Sequence, residues 1–175
     1  MKIVPAVILA ITISPASATE FQVGPVIENF GPVVDVKADA PLSGQERFRV
    51  AFDVAERGEN GKPNRNFTSL ARFMNLHARA GIKADHIELA LVVHGKASFD
   101  LLGDSAFKEK YGEANPNREL IKALQENGVR VIICGQSAGH LGIEKAQLLP
   151  GVEMALSAMT AHALLQQDGY TLNPS

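Results

Sequence analysis

An α/β domain with a five-stranded, mostly parallel sheet covered by helices on both faces is the fold this sequence predicts. Three observations carry the prediction. Short apolar runs rich in Val and Ile alternate with amphipathic helical segments from residue 47 to 172, a pattern that calls for a parallel sheet with right-handed crossovers. Glycine or proline punctuates the junctions, as at Gly81, Gly128 and Pro150-Gly151. The single cysteine, Cys134, closes one apolar run and is followed at once by Gly135-Gln136-Ser137-Ala138-Gly139-His140. That places the thiol at the carboxyl end of a strand, the edge where ligands and reactive groups gather in open sheets.

Taken in order, Arg47 to Val54 reads as the first strand, with only partial alternation. After a polar Gly/Asn/Pro loop, Asn66 is placed to cap a helix running to about Ala80. Its inner face is Phe67, Leu70, Met74 and His77, and Gly81 is its stop. His77 therefore reads as a structural, core-facing histidine. Ile87 to Val93 forms a buried strand ending in His94-Gly95, and Asp104 opens a short helix that puts Phe107 and Tyr111 at i,i+4. Asn115-Pro116 reads as an N-cap and first helical position, ahead of a helix that turns Leu120, Ile121 and Leu124 inward. The cysteine strand, Arg130 to Cys134, follows. Beyond it the pattern predicts a helix around Ile143–Leu148, a strand near Val152–Leu156, a helix near Ala158–Gln167 and a last strand at Tyr170–Leu172.

The chain divides into residues 1–18, 19–46 and 47–175. The first segment opens on Met1-Lys2, continues through an apolar stretch from Ile3 to Ile13, and closes on Ala16-Ser17-Ala18. That is the form of a secretory signal with a small-residue cleavage site, so a mature chain beginning near Thr19 in a bacterial periplasm is expected. Residues 19–46 carry Gly24-Pro25, Gly31-Pro32 and Pro41, which forbid a long helix and predict an extended arm packed on the domain or on a neighbouring subunit. Losing Lys2 from 17 basic residues leaves 16 against 19 acidic, a net charge of −3. Neither nucleic acid nor an anionic membrane is recommended as a partner by that balance.

In an oxidising compartment cysteines usually pair, and one cysteine cannot pair internally. Cys134 is thus a buried inert residue, an intermolecular link or a working free thiol. Its position favours work. Parallel strands end on one edge, so His94 and the strand bearing Asp53 converge with Cys134 there. The backbone N–H groups of the following turn, at Gly135, Gln136 and Ser137, stabilise a thiolate. His94 and His140 are the imidazoles that could tune it. Each has a plainer reading as a histidine bonded to a loop carbonyl, and Asp53 has one as a carboxylate holding a neighbouring loop.

Several pieces in order carry a resemblance: Phe52-Asp53-Val54, Val92-Val93-His94-Gly95, Asn115-Pro116-Asn117, Gly128-Val129, Ile133-Cys134-Gly135-Gln136-Ser137, Pro150-Gly151-Val152 and Gln167-Asp168-Gly169-Tyr170. Together they resemble the DsrE/DsrF-like family of small sulfur-relay proteins over about residues 47–172. The resemblance implies a three-layer α/β/α fold and assembly into trimers or hexamers. It also implies a cysteine, here Cys134, that carries sulfane sulfur as a persulfide between donor and acceptor proteins or small sulfane-sulfur compounds. The export segment is a departure from the cytoplasmic relatives.

Competing readings come from the same residues. Gly135-Gln136-Ser137-Ala138-Gly139 spells the G-x-S-x-G elbow of serine hydrolases, with Glu153 and then His162 downstream. Only 38 residues follow Ser137, too few to deliver an acid and a histidine in that architecture, so the glycines read as turn residues. Cys134, His140 and His94 could suit zinc or copper, but no closely spaced ligand pair supports it. A non-catalytic oligomeric binding protein with a structural Cys134 is the main alternative to the relay. The relay requires no dissociable cofactor.

Overall fold

A computed structural model describes residues 20–174; the expected export signal at residues 1–18, Thr19 and Ser175 lie outside the described residues. Five strands form one sheet: β1 (Phe48–Val54), β2 (Ile87–Val93), β3 (Arg130–Cys134), β4 (Glu153–Ala155) and β5 (Thr171–Pro174). Their spatial order is β4-β3-β2-β1-β5, and every neighbouring pair is parallel.

That order dictates the layers. From β1 through β4 the chain steps one way across the sheet, and right-handed crossovers put every connection on one face. On that face lie α1 (Arg65–Arg79), α2 (Asp104–Tyr111), α3 (Arg118–Glu126) and α4 (Gly135–Leu141). The sheet meets them with bulky side chains, Val50, Phe52, Val54, Leu89, Leu91, Val93, Val131 and Ile133, which form the main core with Phe67, Leu70, Met74, Phe107, Leu120, Ile121 and Leu124. The last crossover runs backwards from β4 to β5, so α5 (Ala158–Gln167) must cover the opposite face, and among the described residues it is the one helix there. Its side chains Ala161 and Leu165 rest on Ala51, Ala90, Val92 and Ile132; the small residues let the helix approach closely.

Several boundaries differ from the sequence reading. Helix α1 is capped by Asn64, whose side chain accepts from Asn66 N–H, and not by Asn66. Asn64 is selected by tertiary partners: its N–H donates to Asn117 Oδ1 at 2.6 Å and its amide nitrogen donates to buried Asp100 at 2.8 Å. Helix α3 begins after Asn117, not Asn115. Asn115 instead accepts from Asn117 N–H and donates to the carbonyls of Asp100 and Leu102, satisfying loop backbone that packing would otherwise strand. The expected helix at 143–148 is only a short 3-10 turn, Lys145–Gln147, and the helix lies earlier, starting directly after Cys134. His77 is half-buried, stacked on Phe73 at 3.9 Å and edge-on to Phe48.

Residues 20–46 lie on α1. Asn75, fully buried, accepts from the N–H groups of Val26 and Ile27 and donates to the carbonyls of Ile27, Phe30 and Gly31. Gly31 touches the helix backbone so closely that a Cβ there would lie 2.2 Å from Arg72 N. Asn75→Ala leaves two N–H groups and three carbonyls to find new partners, at a cost of about 3 kcal/mol. Urea denaturation should show that loss, with faster proteolysis inside residues 20–46; an unchanged cleavage pattern would show that the arm is held by its apolar contacts instead.

Candidate functional site

The direction of the crossovers decides where the site is. Connections leaving β3 and β4, adjacent strands, depart to opposite faces of the sheet, and a crevice opens between such strand ends. Cys134 stands at that point, paired in register with Ala155. The first residue of α4 follows it immediately, and α5 starts three residues beyond Ala155. Two helix starts therefore converge on one sulfur. Cys134 Sγ accepts from Ser137 N–H at 3.4 Å, and the residue as a whole is buried, at 5% exposure.

Burial pushes the Cys134 thiol up. The Ser137 N–H and hydroxyl, with the N–H groups of Ala158 and Gln136, pull it down by more, so it lies below its ordinary value. Ser137 is held for this task, since its Oγ accepts from Gly95 N–H at 3.0 Å and thereby links the β2 exit to the sulfur. Gly135 is required by the crowding, because a Cβ there would lie 2.5 Å from the Ala155 carbonyl oxygen. Gln136 is exposed and donates to the Leu156 carbonyl at 3.4 Å.

Beside the thiol is a second cluster. Val93 pairs with Ile133, so the next residues, His94 and Cys134, leave adjacent strands level with one another, about 5 Å apart at their Cα atoms. His94 Nε2 lies 3.2 Å from Asp53 Oδ2, and His162 Nε2, from α5, lies 2.8 Å from Asp53 Oδ1. Partial burial pushes the Asp53 carboxyl up, while the N–H groups of His162 and His94 pull it down by more, leaving it below its ordinary value. Asp53 thus engages two imidazoles, from β2 and α5. His140 is exposed on the last turn of α4, and no hydrogen bond joins it to this cluster among the described residues.

The structure brings Cys134, Gln136, Ser137, His94 and Asp53 to one edge and leaves His140 outside. It adds His162, at Asp53, and the Ala158 N–H, at the thiol, neither of which the sequence reading placed there. The signal was faint: Ala51 and Ala90 alternate with bulky residues on the two central strands, as a close-packed helix requires. Ser137 is no hydrolase nucleophile here, for its hydroxyl serves Gly95 and the sulfur while His162 faces Asp53. Among the described residues no group of three or more His, Cys, Asp or Glu side chains is arranged to hold a metal ion.

The family model of the DsrE/DsrF-like family matches residues 49–174. The chain belongs to the DsrE/DsrF-like family. Solved structures share the fold. A protein of unknown function from Methanobacterium thermoautotrophicum, MTH1491, aligns with 73% of this chain and 99% of its own, at 16% identity and a TM-score of 0.57. The ychN protein from E. coli aligns with 73% of this chain and 100% of its own, at 20% identity and a TM-score of 0.52. No curated protein matches the chain in sequence. This DsrE/DsrF-like chain therefore has its architecture in common with both, and its site must be read from its own residues.

Proposed function

We propose that this protein is a sulfur-relay carrier that accepts sulfane sulfur on Cys134 and passes it to an acceptor thiol. The observation that supports this best is the acidified thiol at the β3/β4 crevice, fed by N–H groups from two helix starts. Membership of the DsrE/DsrF-like family points the same way. As thiolate, Cys134 attacks the outer sulfur of a persulfide, forming one S–S bond as the donor's S–S bond breaks and its electron pair leaves on the donor sulfur. Oxidation states are exchanged, not created, so no external oxidant enters. The N–H groups that hold the thiolate also suit the persulfide anion that replaces it. Incubation with polysulfide, followed by intact-mass measurement, tests the reading: one sulfur atom of added mass on wild type is the expected result, and none on a folded, reduced sample would sink it.

The near-complete burial of Cys134 favours a second reading, in which the thiol is packing and the protein an oligomeric binding module. Alkylation of the native protein separates the two, since a packing thiol reacts only after unfolding.

Read as an export signal, the sequence of residues 1–18 supports a periplasmic setting for this work, and the exposed apolar side chains of Phe21, Val36, Leu156 and Met159 suit self-association into a trimer or hexamer. No helix among the described residues is long and apolar enough to cross a membrane. Mass spectrometry and light scattering of the protein from its native host should find an N-terminus near Thr19 and an oligomer. An intact Met1 in the cytoplasmic fraction would refute the first, and a monomer at tens of micromolar the second.

A further inference from the structure

A carboxylate only accepts hydrogen bonds, so the two contacts to Asp53 require a proton on Nε2 of both His94 and His162. That assigns the tautomers. His94 Nδ1 is left as the basic atom, on a ring a third exposed and level with Cys134. His162 differs: its side chain is only 15% exposed, and its Nδ1 is buried with no hydrogen-bond partner among the described residues. A ring that leaves one nitrogen stranded to keep the other on Asp53 serves the carboxylate, not a substrate. From this arrangement we infer that His94 is the acid–base group of sulfur transfer at Cys134, with Asp53 fixing its tautomer and His162 clamping Asp53 from the far side as a positioning residue. The inference rests on the relay reading above and adds to it how the proton is handled.

The step balances as follows. The Cys134 thiol gives its proton to His94 Nδ1, and the thiolate attacks the sulfane sulfur of a persulfide donor. As the new S–S bond forms and the donor's bond breaks, the departing sulfur takes the electron pair and then the proton from Nδ1. The net change is thiol plus persulfide to persulfide plus thiol. Asp53 stays ionised throughout and offsets the charge of the transient imidazolium, as the carboxylate does in a Ser-His-Asp triad. Asp53 from β1 bonds His94, with His162 from α5 across that carboxylate, and Cys134 from β3 stands level with His94 one residue past the Val93–Ile133 pair. Helix α4 presents the neutral Ser137 hydroxyl, and Lys96 on the following turn is exposed.

The test follows sulfur uptake from cysteine persulfide by rapid quench and mass spectrometry between pH 5 and 9. His94→Gln can still donate to Asp53 but cannot shuttle a proton. It should slow uptake roughly 100-fold and flatten the pH dependence of the rate. His162→Ala should slow uptake on the order of tenfold, and His162→Gln, which restores an N–H toward Asp53, should recover most of that loss. Wild-type rates and pH profile in His94→Gln would overturn the acid–base role; equal slowing in His162→Ala and His162→Gln would overturn the clamp. A wild type that takes up no sulfur at all would instead overturn the relay reading itself, so the two failures are distinguishable.

Discussion

Cys134→Ser is expected to take up no sulfur and to lose the only alkylation site in the chain, while keeping the fold. The wild-type thiol should titrate below the free-cysteine value of about 8.5, because the N–H groups of Ser137, Ala158 and Gln136 outweigh its burial. The same shift carries a signed effect on stability. A group whose folded pKa is depressed stabilises the fold fully above its unfolded value, and loses that contribution as pH falls through the folded value. The advantage of wild type over Cys134→Ser should therefore grow as pH rises from the folded midpoint toward 8.5. Iodoacetamide rates against pH, with urea melts of both proteins at three pH values, check the pair. A native thiol that is inert at pH 8 and reactive only in urea would return Cys134 to the core.

Gly135→Ala is the second large effect. Its Cβ would lie 2.5 Å from the Ala155 carbonyl oxygen, and backbone on both sides leaves no flexible side chain to give way. The β4 exit must move away from β3, at a cost of about 2–3 kcal/mol. That exit carries Ser157 and the start of α5, so the Ala158 N–H moves off the sulfur and the thiol pKa should rise toward its free value. Gly139→Ala is the control on the same helix: its Cβ meets nothing within 4 Å among the described residues, and alanine is the better helix former. It should leave the alkylation profile unchanged and hold or raise stability. Equal behaviour of the two variants would mean that the β3/β4 squeeze does not set the thiol's acidity.

The strand-helix alternation, the parallel sheet and the place of Cys134 at a strand end were legible because each depends on local pattern. Residues level with one another at strand ends are nearly local too, which is why His94 and Asp53 could be named. His162 could not. It meets Asp53 across 109 residues, and only the backward crossover from β4 to β5 decides that α5 takes the opposite face. The caps failed for a related reason: Asn64 and Asn66 are equally good capping residues in isolation, and Asn117 and Asp100, far along the chain, choose between them. The helix after Cys134 was hidden by Gly135 and Gly139, whose low helix propensity masked a segment held by the strand end beneath it.

The position of β5 beside β1 also sets a timetable. Closing that pair joins Arg49 to Thr171, 122 residues on, and such long-range closures come late in folding because their loop entropy must be met before the contact rewards it. Helix α5 docks with β5, bringing the Ala158 N–H to Cys134 and His162 to Asp53. Until then the thiol lacks part of its acidifying field and the carboxylate lacks its clamp. A chain still being assembled is expected to carry a cysteine nearer its ordinary acidity, with the Ala158 share of the thiol's acidification arriving only when α5 docks. Thiol reactivity becomes a clock for the completion of this molecule.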